Sequence, residues 1–468
     1  MKRGSIAWLV RALAGAALAA SAVTQADAAP VPDERPIHEA LGLPESIVLQ
    51  VSLRTRFEAI GGQFRPTAPH DDRLFSLRSD VLLEYHTGRL RLIGELRDAR
   101  GYGEKRGSSA GVSEINAFEP LQALVGYDLA GLGGKSGGGV LAAGRYTLET
   151  GAGRLIGRPD FANSINSYTG VLLDWHSPAK DRLVLFANEP SLRLPNDPED
   201  LRANHRWLDR VTSGLRFFGG DVTKAALLPR LLGEAYLYGL SEHDTSDQPT
   251  RDRHVLTYGF RLQRPASPGK MDWELEVAHQ SGHAHATTAA SDTRALPVSA
   301  QLVHGEIGRK VAGGWSPRLS LHADLATGDD ADPNRYTRFD TLFGAARTDF
   351  GPTGLYGPVN RANLRSLGLR VEAAPSKRVD AFAMTRALWL DARTDSFAST
   401  AVRDRAGNSG RYAGTQVEGR LRYWLVPRRL KTDIGGAYLA KGRFLRNAPN
   451  ASAAGDTRYV FIDLAADI

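Results

Sequence analysis

Arginine carries most of the chemistry this sequence offers. It recurs at alternate positions in otherwise apolar stretches, as in Leu53-Arg54-Thr55-Arg56-Phe57 and Gly419-Arg420-Leu421-Arg422-Tyr423, and singly as Arg78, Arg91, Arg97, Arg145, Arg216 and Arg370. A guanidinium stays charged at any ordinary pH and grips carboxylates or phosphates through a planar fork, so the chemistry is anion recognition rather than proton transfer. Catalytic alternatives are thin. Gly134-Lys135-Ser136-Gly137-Gly138 has the form G-x-S-x-G but sits in a glycine-rich turn without the strand–turn–helix context of a nucleophile elbow. It is not a phosphate loop either, because Leu129 stands where the first glycine would be.

Metal chemistry is no better supported by spacing. Asp329, Asp330 and Asp332 lie in Gly328-Asp329-Asp330-Ala331-Asp332-Pro333-Asn334, whose D-x-D-x-N pattern resembles a calcium loop, yet Arg335 and Thr341 replace the required glycine and glutamate. A loose divalent site is the most that loop offers. The twelve histidines show no H-E-x-x-H or other compact ligand pattern, and His283 and His285 read as solvated loop residues. The absence of cysteine excludes disulfides, thiolate metal sites, cysteine nucleophiles and a lipid-anchored cysteine. No cofactor, resident metal, enzyme activity or nucleic-acid partner is expected.

The elements that position these arginines are strands. In Ile47 to Glu58, alternate residues read Ile, Leu, Val, Leu, Thr, Phe, and the intervening ones Val, Gln, Ser, Arg, Arg, Glu, which gives one apolar and one charged face. The pattern recurs near 47–58, 73–86, 89–98, 120–128, 139–149, 166–176, 181–189, 210–218, 230–240, 254–263, 271–281, 300–311, 316–327, 364–373, 378–392, 411–425, 430–442 and 457–467. Such strands of about 9–14 residues, about 18 in number, predict an all-β, transmembrane antiparallel β-barrel. Short links such as Thr87-Gly88 and Ala374 to Lys377 mostly alternate with long ones such as Gly328 to Asn363, as periplasmic turns alternate with extracellular loops. Two short-side links, Ala130 to Gly138 and Gly219 to Pro229, are longer than usual. Tyr85, Tyr127, Trp175, Trp273 and Tyr423 fall at strand ends, where interfacial girdles form.

Parity then assigns faces. A charge on the lipid side near mid-bilayer costs about 2–4 kcal/mol, so Arg54, Arg56, Arg78, Arg91, Arg97, Arg145, Arg216, Arg370, Arg420 and Arg422 are expected to point into the lumen, with Arg54, Arg78, Arg145 and Arg420 near mid-height. A barrel this wide is expected to enclose water rather than a packed core. Rings of arginine at a constriction select anions, although each arginine could equally be paired with a luminal carboxylate.

Upstream, Lys2 and Arg3 precede an apolar stretch, and Ala26-Asp27-Ala28 supplies a signal-peptidase site. The expected organisation is a signal peptide over 1–28, a short periplasmic segment over 29–46 and a barrel over 47–468. Lys2, Arg3 and Arg11 against Asp27 take a net +2 with them, leaving +5 of the formal +7.

At Gly151-Ala152-Gly153-Arg154-Leu155-Ile156-Gly157-Arg158-Pro159-Asp160-Phe161-Ala162-Asn163, and at Phe339-Asp340-Thr341-Leu342-Phe343-Gly344 with Phe350-Gly351, the chain resembles the alginate export family of outer-membrane barrels. The resemblance implies a monomeric porin of about 18 strands whose arginine-lined pore, including Arg145 and Arg154, carries an anionic polysaccharide out of the cell with periplasmic export partners. Two departures bear on substrate more than fold. The link Val426-Pro427-Arg428-Arg429 is a tight turn where the best-known alginate porin has a long periplasmic gating loop, and the chain ends Ala466-Asp467-Ile468 without a terminal aromatic, which leaves Tyr459 and Phe461 as candidates for the aromatic assembly signal. The expected function is passive passage of an anionic, alginate-like polysaccharide. The alternatives are a porin for small anionic solutes and an outer-membrane enzyme, the latter lacking a lipid-facing Ser–His pair in phase.

Overall fold

The computed structural model describes residues 37, 40–244 and 248–468. The expected signal over 1–28 lies outside the described residues, as does most of 29–46. Eighteen strands form one antiparallel sheet. They are β1 (Ile47–Gly61), β2 (Asp71–Thr87), β3 (Leu90–Tyr102), β4 (Asn116–Asp128), β5 (Gly138–Tyr146), β6 (Tyr168–His176), β7 (Arg182–Pro190), β8 (Leu215–Leu228) and β9 (Leu231–Glu242). The second half comprises β10 (His254–Arg264), β11 (Met271–Ala284), β12 (Leu296–Lys310), β13 (Arg318–Ala326), β14 (Leu364–Ser376), β15 (Val379–Trp389), β16 (Tyr412–Val426), β17 (Leu430–Lys441) and β18 (Thr457–Asp467). Each strand pairs with its sequence neighbours, and β1 also pairs with β18 from Ser52↔Asp467 to Gly61↔Arg458. Closure removes every sheet edge, which a bilayer without hydrogen-bonding solvent demands.

The alternation is the barrel wall. In β1, Leu53 and Phe57 face outward while Arg54, Arg56 and Glu58 are buried inside; in β2, Phe75, Val81, Leu83 and Tyr85 face outward and Ser76 and Asp80 inward. Tyr85, Tyr127 and Tyr423 are exposed near the short-turn ends of their strands, the end that faces the periplasm in such barrels. Trp175 and Trp273 share the outward faces of Val171 and Ile307 there. Tyr459 and Phe461 point inward, with Val460 and Ile462 outward.

One strand departs from its expected position. β8 runs Leu215–Leu228, so the expected Gly219–Pro229 link is mostly strand and closes in a tight turn. Gly219 and Gly220 read as turn residues but sit inside the ladder, where a Cβ on Gly219 would collide with the Leu237 carbonyl oxygen. The shift also reverses the expected orientation of Arg216. Phe217 is fully buried and Phe218 faces outward, so Arg216, on Phe218's parity, lies exposed on the outer face at the long-loop end. There its guanidinium reaches water beyond the hydrocarbon, which removes the penalty on which the inward assignment rested.

Replacing Leu321, exposed on the outer face in the middle of β13, by arginine should destabilise the folded barrel by about 2–4 kcal/mol in reversible folding into vesicles. A loss below about 0.5 kcal/mol would mean this face does not meet lipid.

Candidate functional site

Two long loops turn into the barrel and meet. The β5–β6 loop carries Gly151 to Asn163, and the β13–β14 loop carries Phe339 to Gly351. Their backbones join as a short parallel bridge, with Phe343 N donating to Leu155 O (3.0 Å), Gly157 N to Phe343 O (3.2 Å) and Ala345 N to Gly153 O (2.9 Å). Gly344 is required there, since a Cβ would overlap the Arg154 carbonyl. Phe343 packs on an aromatic wall of β6 and β8, 4.9 Å from Phe217 and 5.5 Å from Tyr168 between ring centroids. With Leu155, Ile156 and Tyr356, these residues give the lumen an apolar core that a simple water-filled tube would lack.

Arg154 fixes this junction. Its guanidinium meets Glu274 and Glu276 (2.7 Å) on β11 and Asp349 (2.9 Å) in the short helix Arg347–Phe350, while Arg361 binds the same Asp349. Burial would raise the Asp349 carboxyl, but Arg154 and Arg361 hold it well below the usual carboxylate range. Arg386, also buried, bonds Asp324 and donates to the Asp349 carbonyl (3.0 Å).

The β5–β6 loop continues down to β1 and β2. Arg54 and Arg78 are direct cross-strand partners, a like-charge pairing that destabilises unless compensated. The loop compensates it: Arg54 donates to Asp160 O (2.6 Å), Ala162 O (3.0 Å) and Asn163 Oδ1 (2.9 Å), and Arg78 to Asp160 O and Ala162 O (both 3.3 Å). Arg56 donates to Phe161 O (2.6 Å), lies 3.6 Å over the Phe161 ring and binds Asp463. Enclosure within the barrel opposes charge on Asp160, yet Arg78, Lys431, Arg54 and Arg422 keep its carboxyl below the usual range.

Most of the expected luminal arginines are therefore paired. Arg97 bonds Asp80 and Arg91 bonds Asp128 (2.5 Å), but Arg145, expected in the lumen, falls on the outward parity of Leu141 and Ala143, opposite Ala123, and bonds Glu119 (2.5 Å) and Ser167 Oγ (2.9 Å). Of the four mid-height candidates, Arg54 and Arg78 share a loop, Arg420 bonds Asp380, and Arg145 lies on the outward parity of β5, so the four do not make one luminal ring.

A different grouping emerges on β14–β17. Arg370, Arg420 and Arg347 lie 4.0, 5.5 and 5.9 Å over the Phe382 ring. Arg422 and Lys431 continue the row along β16 and β17 toward the short-turn end, with Lys431 directly opposite Trp424. Their carboxylate partners are Glu372, Asp380, Asp433 and Glu418, the last at 3.7 Å from Arg347. The side chains of Arg347, Arg370, Arg420 and Arg422 keep 18–24% exposure, against 5% or less for Arg54, Arg56, Arg154 and Arg386. Burial brings Arg347 down to about 10, with Arg420 and Arg370 adding to the effect against Glu418. Arg347 and Phe382 escaped sequence reasoning because Arg347 sits in a loop with no alternation.

Nearer the long-loop mouth, a polar cavity of about 310 Å3 is lined by Arg65, Glu114, Thr353, Asn360, Arg361 and Ser399. Among the described residues, Thr353 Oγ1 and Asn360 Oδ1 there have no hydrogen-bond partner. Burial pushes Glu114 up to about 7, against the Gly111 amide and Arg193. In the acidic loop, Asp330 and Asp332 are engaged by Arg335 (2.5 and 3.4 Å), and Asp329 accepts from the Thr337 amide.

This architecture, a closed barrel constricted by in-folded loops above a basic wall, defines an outer-membrane channel. A profile of the alginate export family matches residues 46–458, and the chain belongs to that family. No curated protein sequence matches it significantly. Its fold is similar to outer-membrane porins: Pseudomonas aeruginosa OccK9 (OpdG), at 13% identity and TM-score 0.55 over 91% of this chain and 98% of that one; P. aeruginosa OccK2 (OpdF) in complex with glucuronate, at 11% and 0.54 over 90% and 96%; and Acinetobacter baumannii OccAB1, at 12% and 0.54 over 91% and 97%.

Arg154→Ala leaves Glu274, Glu276 and Asp349 without their shared cation, which should cost about 3–5 kcal/mol and release both loops. Single-channel recordings should then show larger, flickering openings; unchanged conductance would mean the junction does not set the pore. Because the Asp349 carboxyl is depressed, its contribution is complete above the unfolded value and fades only as pH falls below about 4, so wild-type openings should turn noisy only in that acid range.

Glu114 predicts a separate response near neutrality. Protonation as pH falls through about 7 removes a negative charge from the cavity, so chloride preference should rise from pH 8 to pH 6, and Glu114→Gln should flatten that change.

Proposed function

We propose that the protein passes anionic saccharides, with an alginate-like polyuronate as substrate, along the basic wall of Arg347, Arg370, Arg420, Arg422 and Lys431. The observation that carries this reading is the residual exposure of those guanidiniums: the buried arginines are consumed in holding loops, whereas these meet luminal water and remain open to a ligand. The interleaved carboxylates keep each contact with a passing carboxylate weak, as conduction requires. Phe382, partly exposed among these guanidiniums, is the aromatic surface nearest a passing sugar ring. The barrel contains its own pore and works as a monomer, with any periplasmic export partner presenting polymer at the short-turn end.

A porin for small anionic solutes is the second reading. The loop junction and its apolar core narrow the lumen, and the similar OccK2 fold is described in complex with glucuronate, a single uronate. Passage and blockade separate the two. In planar bilayers under a salt gradient, reversal potentials should favour chloride over potassium, and polyuronate should block current more than a neutral polymer of similar size. Vesicles should release trapped polyuronate if polymer passes, and only monouronate if the second reading holds.

Arg370→Glu with Arg420→Glu changes the local charge by four units and should diminish or invert anion preference, an effect that fades at 1 M salt, where the Debye length is about 3 Å. A cation-selective wild type, or unchanged selectivity in the double variant, would remove the basis for anion passage along this wall.

A further inference from the structure

A second site lies outside the pore, at the long-loop rim of β9, β10 and β11. His243 follows β9, Asp252 and His254 open β10, and His283 and His285 close β11. The register pairs His254 with His283, and the rings of His243 and His283 flank that of His254 at 4.6 and 4.7 Å between centroids. The Asp252 carboxylate faces three of these imidazoles: Oδ1 is 3.1 Å from His243 Nδ1 and 3.6 Å from His254 Nε2, and Oδ2 is 3.8 Å from His285 Nε2.

We propose that His243, Asp252 and His254, with His285 as a fourth donor, form a binding site for a borderline transition-metal ion of the zinc class. Metal–ligand bonds of about 2.0–2.2 Å in a tetrahedron set donor atoms roughly 3.3–3.6 Å apart, and the observed separations bracket that range. Neutral imidazoles with one carboxylate select zinc or copper over calcium and magnesium, which take oxygen ligands. His254 is already positioned: Nδ1 lies 3.0 Å from Ser241 Oγ, and in the tautomer whose Nδ1–H donates there the Nε2 lone pair is left to face a metal beside Asp252. The nearby cations are largely occupied, Arg253 on Glu242 and Asp340, and Arg251 on Tyr336 and the Ala286 carbonyl. The site is also open to the medium, with His243 61% exposed.

A luminal trio, His304, Glu306 and His322, is the rival set of donors. Arg318 already holds Glu306, and Arg386 binds the Asp324 carboxylate that holds His304, so that trio sits beside fixed positive charge that repels a cation. The rim ion would join the ends of three adjacent strands where Arg251 and Arg253 anchor the β13–β14 loop through Tyr336 and Asp340.

The test uses full-length, tag-free barrel, stripped with chelator and refolded in detergent. Isothermal titration with zinc should show one saturable site per chain, unmatched by calcium or magnesium. Asp252→Asn with His254→Ala should weaken it by roughly tenfold or more, and His304→Ala with His322→Ala should leave it intact, heat-modifiable migration confirming folding in both. Cobalt(II) added to the wild type, which needs no variant, should give the visible absorption of a four- or five-coordinate nitrogen–oxygen site. The proposal is overturned if zinc binding is unsaturable, if calcium competes equally, if only the luminal variant loses binding, or if cobalt stays six-coordinate.

Discussion

The lumen is organised around one buried guanidinium. Arg154 faces three carboxylates from two parts of the chain, Glu274 and Glu276 on the wall and Asp349 on the opposite loop. Removing a buried cation from such a group leaves charges that neither water nor backbone can satisfy, so the cluster behaves as a lock. Because Arg154 lies beside Leu155, whose backbone binds Phe343, the lock and the loop bridge are one structure. The aromatic wall of Tyr168 and Phe217 then receives Phe343, and the apolar core inside the barrel follows.

This division of labour explains why counting arginines on the luminal parity overstates the pore. Parity finds which side of the wall a residue occupies, because period two is a local property of a strand. It cannot tell whether the space ahead is filled by water or by a loop. Arg54 and Arg78 were placed on the correct face, yet their guanidiniums end on the carbonyls of Asp160 and Ala162, set by a loop more than 80 residues away in sequence. Arg370 and Arg420 were placed by the same rule and do reach open space. Only the folded loop separates the two cases.

The wall itself was legible almost throughout, since each strand advertised its faces and each link its length. Failures fell where local pattern weakened. In β8 the stretch Phe217-Phe218-Gly219-Gly220 breaks alternation and imitates a turn, which displaced the strand and turned Arg216 to the wrong side. Arg347 lies in a loop with no period to read. The rim histidines were missed for a related reason: Asp252 and His254, and His283 and His285, are alternate-residue pairs, each unremarkable alone, that meet only through the register of β10 with β11. The two segments of family resemblance, Gly151 to Asn163 and Phe339 to Gly351, touch in the lumen although nothing in either one's spacing foretold it.

The same geometry bears on what can pass. A polyuronate presents a carboxylate on every sugar, so it needs a row of exchangeable cations rather than a single strong site. On the proposed reading Arg422, Arg420, Arg370 and Arg347 are that row, each paired with a neighbouring carboxylate and three of them within 6 Å of the Phe382 ring. A fully unpaired row would hold a polyanion too tightly to release it, and a fully buried one would not touch it. Partial pairing with partial exposure is the intermediate that the proposed passage requires for both entry and exit. In this chain the corresponding link is the tight turn Val426–Arg429, so the segments that fill the lumen beside that row are the loops folded in from the long-loop end.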